Sequence, residues 1–206
     1  ALVVAEAGSY IAFVTLDLVG LGSPRIWPAR DALAADGFDP DRLIVSSSHN
    51  HQGPDTMGLW GDPYDLGDPV SGIDPAYSAR VTAAIEEAVR TAAGSMVAVE
   101  LRIATIAMRD RSPWFSSAEF GGKNPTSRTH GMVHDIRDPV VVSDQLLVLQ
   151  GVGAAGTVFT MTSWSGHPEV RGGSNNAISA DWVGVALRVI EGEFGGTALH
   201  LPECLG

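Results

Sequence analysis

The chain has 206 residues, 45% of them hydrophobic, and its 13 Lys and Arg against 24 Asp and Glu leave a net charge of -11. That length and apolar content suit a domain with a packed core and exclude disorder as a description of the whole. The acidity disfavours a nucleic-acid backbone or an anionic membrane surface as partner, and leaves a small neutral or amphiphilic ligand as the easier one to accommodate. No apolar run approaches the ~18 residues of a membrane span, so no transmembrane segment is expected. The single cysteine, Cys204, excludes an internal disulfide and a cysteine-based zinc ribbon; it reads as a buried small hydrophobe and leaves the compartment undecided.

In chain order, Ala1 to Ala5 reads as a strand that turns at Gly8-Ser9 into a second strand over 10–18, which ends on Asp17 and Leu18. Gly20-Leu21-Gly22-Ser23-Pro24 lacks the third glycine of a dinucleotide loop and leads to a helix near 28–36. Phe38-Asp39-Pro40 then turns the chain into a strand over 43–47.

That strand breaks off into His49-Asn50-His51-Gln52-Gly53-Pro54. Neutral imidazole is the commonest side-chain metal ligand, and an i, i+2 spacing puts both rings on one side of an extended backbone. The two rings either share a metal or divide ligand and proton-transfer roles; the plain alternative is a polar loop with two solvated histidines. Met57, Leu59 and Trp60 follow directly. They form either an apolar mouth beside the histidines or a loop packed down by Trp60.

Asp62, Asp65 and Asp68 are loosely spaced like calcium ligands but lack the closing glutamate, and read as a solvated acidic loop. Asp74-Pro75 is a helix start, with Asp as N-cap and Pro at the first helical position. Val81, Ile85, Ala88, Val89 and Ala92 form one apolar stripe before Gly94. A strand over 97–107 precedes a long polar loop, 109–138, in which His130 and His134 read as solvated. Strands over 140–149 and 156–163 flank a Gly151 to Gly156 hairpin. His167 comes just past the second of these, a helix spans 180–192, and a strand over 197–201 carries His200, which reads as structural. Alternating strands and helices predict an α/β fold: a mixed, largely parallel sheet flanked by helices, with a β-hairpin. Both ends fall in or beside strands, so 1–206 reads as one domain that is a segment of a larger catalytic one.

Asp17, His49, His51 and His167 all fall at or just past predicted strand ends, where open α/β sheets bind their ligands. Taken singly, Asp17 could cap its loop and His167 could be a turn residue. Together they predict a site at which His49 and His167 converge, on strands lying side by side. No Gly-x-Ser-x-Gly elbow offers a serine nucleophile.

The His49 to Pro54 run resembles the His-Thr-His-Ser-Gly-Pro signature of neutral/alkaline (non-lysosomal) ceramidases. Asp110-Arg111-Ser112-Pro113 is similar to their Asn-Arg-Ser-Pro, and His167-Pro168 with Ser179-Ala180-Asp181 to Gly184 resembles their later His-Pro and Ser-x-Asp-x-x-Gly segments, in the same order. The resemblance implies a zinc hydrolase of amide bonds, secreted or periplasmic. His49 and His167 would be zinc ligands, His51 and Arg111 catalytic groups at the scissile carbonyl, and an N-acyl amide with an apolar chain the substrate. Trp60 and Asp17 are the candidate substrate contacts. Arg111 could equally be tied up with Asp110. The family's remaining ligands, a Glu and a Tyr, come downstream of anything present here. Asp55 to Trp60 replaces the family's small-residue continuation, and Leu201 to Gly206 departs from its Gly-Asp-x-Ser-Pro. The other readings are an amidohydrolase-type barrel, which needs some eight βα units, and a non-catalytic binding module on the same fold.

Overall fold

The computed structural model describes residues 1–61, 71–107, 143, 145–171 and 175–203. Arg111, Cys204, His130, His134 and the Asp62 to Asp68 run lie outside them. Strand β1 is Leu2–Glu6, β2 Ser9–Leu16 and β3 Leu43–Ser47; helix α1 is Ser23–Ala35 and α2 Pro75–Gly94. Strands β4 (Glu100–Ala107), β5 (Gln145–Gly153) and β6 (Gly156–Trp164) are followed by helix α3 (Asp181–Phe194) and strand β7 (Thr197–Pro202).

The mixed α/β class is what the structure shows, divided into two mixed sheets in the orders β1-β2-β3 and β4-β5-β6-β7. Direction follows the connections. The tight turns β1-β2 and β5-β6 force antiparallel pairing, whereas the helical crossovers β2-α1-β3 and β6-α3-β7 give parallel pairs. β4 adds to β5 antiparallel at an outer edge. Among the described residues the sheets are open, unlike the closed parallel barrel of an amidohydrolase-type enzyme. The expectation that β3 and β6 lie side by side needs correction: they belong to different sheets, and β7, paired to β6, is the strand that touches β3 and β2.

Side-chain alternation stacks the layers. Val3, Ala12, Val14 and Leu43 face Ala29 and Leu33 of α1 and Val81, Ile85 and Val89 of α2 in one core. Leu2 and Phe13, opposite each other in the β1-β2 ladder, turn the other way and meet Phe159 and Leu199 of the second sheet. On that sheet's far face His200 meets Trp182 of α3 at a ring separation of 5.1 Å. The order is helices, sheet, sheet, helix.

Most boundaries agree with the sequence reading. The Asp74 carboxylate accepts from Ala76 and Tyr77 at 2.8 and 3.2 Å, and of the α2 stripe Val81, Ile85 and Val89 are buried while Ala88 and Ala92 are half-buried. Helix α1 begins at Ser23 rather than near 28, because Pro24 in a first turn has no N–H that a helix would use. The hairpin turns at Ala154-Ala155, with Gly153 opposite Gly156, and Gly156 takes the left-handed φ of +118° that the turn requires. Among the described residues no helix is long and apolar enough to cross a membrane.

Candidate metal centre

The first half of the site is a loop pinned across the ends of β2 and β3. The Ser48 amide donates to Leu16 O at 2.8 Å, carrying the ladder one residue past β3. His49 then takes a left-handed φ of +65°, unusual for a residue with a Cβ, which turns its ring back under the β2 end. Its Nδ1 lies 2.7 Å from Val19 O, so Nδ1 carries the proton and Nε2 keeps its lone pair. Asn50 is buried; its Oδ1 accepts from Gln52 N at 2.9 Å, and its Nδ2 donates to Ser179 O. Gly53 is glycine for a reason of space: a Cβ there would stand 2.8 Å from Asp17 O.

The second half follows β6. Pro168 is fully buried and fixes His167, whose carbonyl accepts from Trp182 Nε1 at 3.2 Å. The next turn is held by Asp181, buried at the start of α3 with φ +51°. Its carboxylate accepts from Val170 N at 3.2 Å, Arg171 N at 2.9 Å and Trp182 N at 2.6 Å. Asn50 and Ser179 thus tie the two halves together through one hydrogen bond across 129 positions.

These frames bring His49, His51 and His167 to one place. One ring nitrogen from each lies within 4.8 Å of the others. His51 Nε2 and His167 Nε2 are 3.1 Å apart, and the three ring centroids are 4.7 to 5.0 Å from one another. Two imidazoles bound tetrahedrally to one metal ion, with bonds of ~2.0–2.1 Å, would hold their nitrogens about 3.4 Å apart, and the three ring nitrogens, all within 4.8 Å of one another, could hold such an ion. Desolvation, and then the neighbouring imidazoles of His49 and His51, lower the His167 pKa below the ordinary histidine value, while Glu169 works the other way. The lower value favours the neutral ring that a metal needs.

Trp60 is 49% exposed with its ring 6.2 Å from that of His51, and Met57 and Leu59 are exposed beside it. Asp55 organises that loop. Desolvation works against its charged form, but amides from Trp60, Met57, Gly58 and Leu59 outweigh it and hold the carboxyl below the usual carboxylate range. Asp17 still reaches solvent at the β2 end; desolvation raises its pKa, opposed by the neighbouring Ser48 hydroxyl. His200 is buried against Thr162 and Trp182, as a structural residue would be. The supporting hydrogen bonds of Asn50 and Asp181 could not be read from the sequence, since each reaches a partner in another segment.

The fold is similar to that of neutral ceramidase from Pseudomonas aeruginosa, with a TM-score of 0.72 over 99% of this chain and 32% of that one at 19% identity. It is also similar to a ceramidase complexed with C2, with a TM-score of 0.69 over 98% of this chain and 31% of that one at 16% identity. The chain therefore has the architecture of a ceramidase segment and spans about a third of the length of those two proteins. No protein-family profile matches it, and a search of curated proteins finds no match.

Proposed function

We propose that the chain belongs to a zinc-dependent hydrolase of amide bonds whose substrate is an N-acyl amide with an apolar chain. The observation that carries this reading is the convergence of three imidazoles within 4.8 Å, on a fold shared with a neutral ceramidase. Ceramidases are named for a lipid amide, which makes that class the first to try here. The exposed Met57, Leu59 and Trp60 beside the cluster give an apolar chain a surface to lie on.

His49 and His167 are the proposed zinc ligands. When bound, zinc supplies Lewis acidity, polarising a carbonyl and making water easier to deprotonate. His51, whose Nε2 lies 3.1 Å from that of His167, is the proposed group that carries a proton from the attacking water to the leaving amine. Arg111, outside the described residues, is assigned by its motif to the developing oxyanion, where a permanently charged guanidinium is suited. Trp60, whose ring lies 6.2 Å from that of His51, and Asp17 just past the end of β2 are the proposed substrate contacts.

The test is hydrolysis by the complete protein of a panel of long-chain N-acyl amides, short amides, esters and sugars, with and without a chelator. Long-chain amides should be cleaved, the activity should vanish on chelation and return with zinc, and Trp60→Ala should raise KM for long chains. Activity confined to small polar substrates, with Trp60→Ala silent, would reject the lipid-amide assignment. Activity indifferent to chelation would reject zinc.

A further inference from the structure

We propose that Glu169 is a positioning residue for His51: its carboxylate fixes the ring with the proton on Nδ1 and the Nε2 lone pair turned into the imidazole cluster. The two nitrogens of His51 face different groups. Nε2 meets His167 Nε2 at 3.1 Å, while Nδ1 lies 3.9 Å from Glu169 Oε1. The second carboxylate oxygen, Oε2, lies 3.9 Å from His167 Nε2. Among the described residues no other carboxylate approaches His51.

The contrast with His49 gives the geometry its meaning. His49 Nδ1 already has a backbone acceptor, Val19 O, which settles its tautomer. Among the described residues His51 has none, and Glu169 stands where such an acceptor is wanted. The carboxylate is 58% exposed and free to swing the short distance to a hydrogen bond, but its backbone is not free. The Glu169 amide donates to His167 O at 3.0 Å, Pro168 before it is fully buried, and the next two amides are held by Asp181. A rigid turn therefore presents a mobile carboxylate to one side of His51.

This inference rests on the catalytic reading of His51, but its first readout does not. Side-chain nitrogen NMR of the metal-free full chain reports the tautomer of each histidine directly. His51 should be protonated on Nδ1, accepting at Nε2 from His167. In Glu169→Ala the His51 and His167 protons should redistribute while His49, fixed by Val19 O, stays as it was. Glu169→Gln, which keeps an acceptor oxygen at nearly the same size, should restore the wild-type pattern. With the proposed activity in hand, Glu169→Ala should lower kcat by about 10- to 100-fold with KM and zinc affinity unchanged.

An unchanged His51 tautomer in Glu169→Ala would overturn the proposal. So would a loss of zinc affinity in that variant, which would make Glu169 a ligand. If the wild type neither binds zinc nor cleaves amides, the functional reading fails while the tautomer shift still decides the Glu169 and His51 pairing.

Discussion

His49 and Asp181 both occupy the left-handed region, at φ of +65° and +51°, a conformation that costs a residue with a Cβ about 1–2 kcal/mol. One is a candidate ligand and the other holds the turn behind His167, so the strain sits where the site is built. Asp181 is repaid by three backbone donors, which an amide side chain cannot all satisfy. Asp181→Asn should therefore cost about 1–3 kcal/mol in denaturant unfolding and weaken zinc binding through the loosened His167 turn. Unchanged zinc affinity would show that this turn does not set the ligand.

His200 makes a second prediction at this scale. Burial lowers its pKa from 6.5 to about 4, the nearby Glu203 opposing, so the folded state favours the neutral ring. The unfolded chain takes up a proton first as the pH falls, and the stabilisation is complete above about 6.5 and lost towards 4. Its upper limit is about 3 kcal/mol. The unfolding free energy should decline across that interval, and His200→Gln, which can still bond Thr162, should flatten the decline. An equally steep limb in the variant would place the sensitivity elsewhere.

Between elements, the decisive contact is the crossing of the His49 to Pro54 loop over the end of β2. A Cβ on Gly53 would meet a backbone oxygen at 2.8 Å, which cannot swing aside as a side chain does. Gly53→Ala should displace the loop and weaken zinc binding more than it lowers the melting temperature. Ile85→Ala, in the core under α2, should do the reverse: about 2–5 kcal/mol of stability lost with zinc binding kept. If the two variants behave alike, the loop is not separately positioned. Elements with local signals were legible in the sequence: β3 between a turn and the histidines, and α2 from its Asp74-Pro75 start to Gly94. Sheet membership was not, because ladder partners are set by burial across the whole chain. β3 and β6 were expected as neighbours, and β7 stands between them in space.

At the scale of the molecule, the four layers put the ends of β2, β3 and β6 at one edge, and that is where all three histidines lie. The sequence showed which histidines sit past strand ends, since turn signals are local. It could not show that a hydrogen bond from Asn50 to Ser179 locks two distant segments together, or that Glu169 faces His51. Zinc titration of the metal-free complete protein by calorimetry tests the centre most directly. One zinc per chain should bind, with binding lost in His49→Ala and in His167→Ala and kept in His51→Ala. No binding by the wild type, or wild-type binding by His49→Ala or His167→Ala, would contradict the proposed centre.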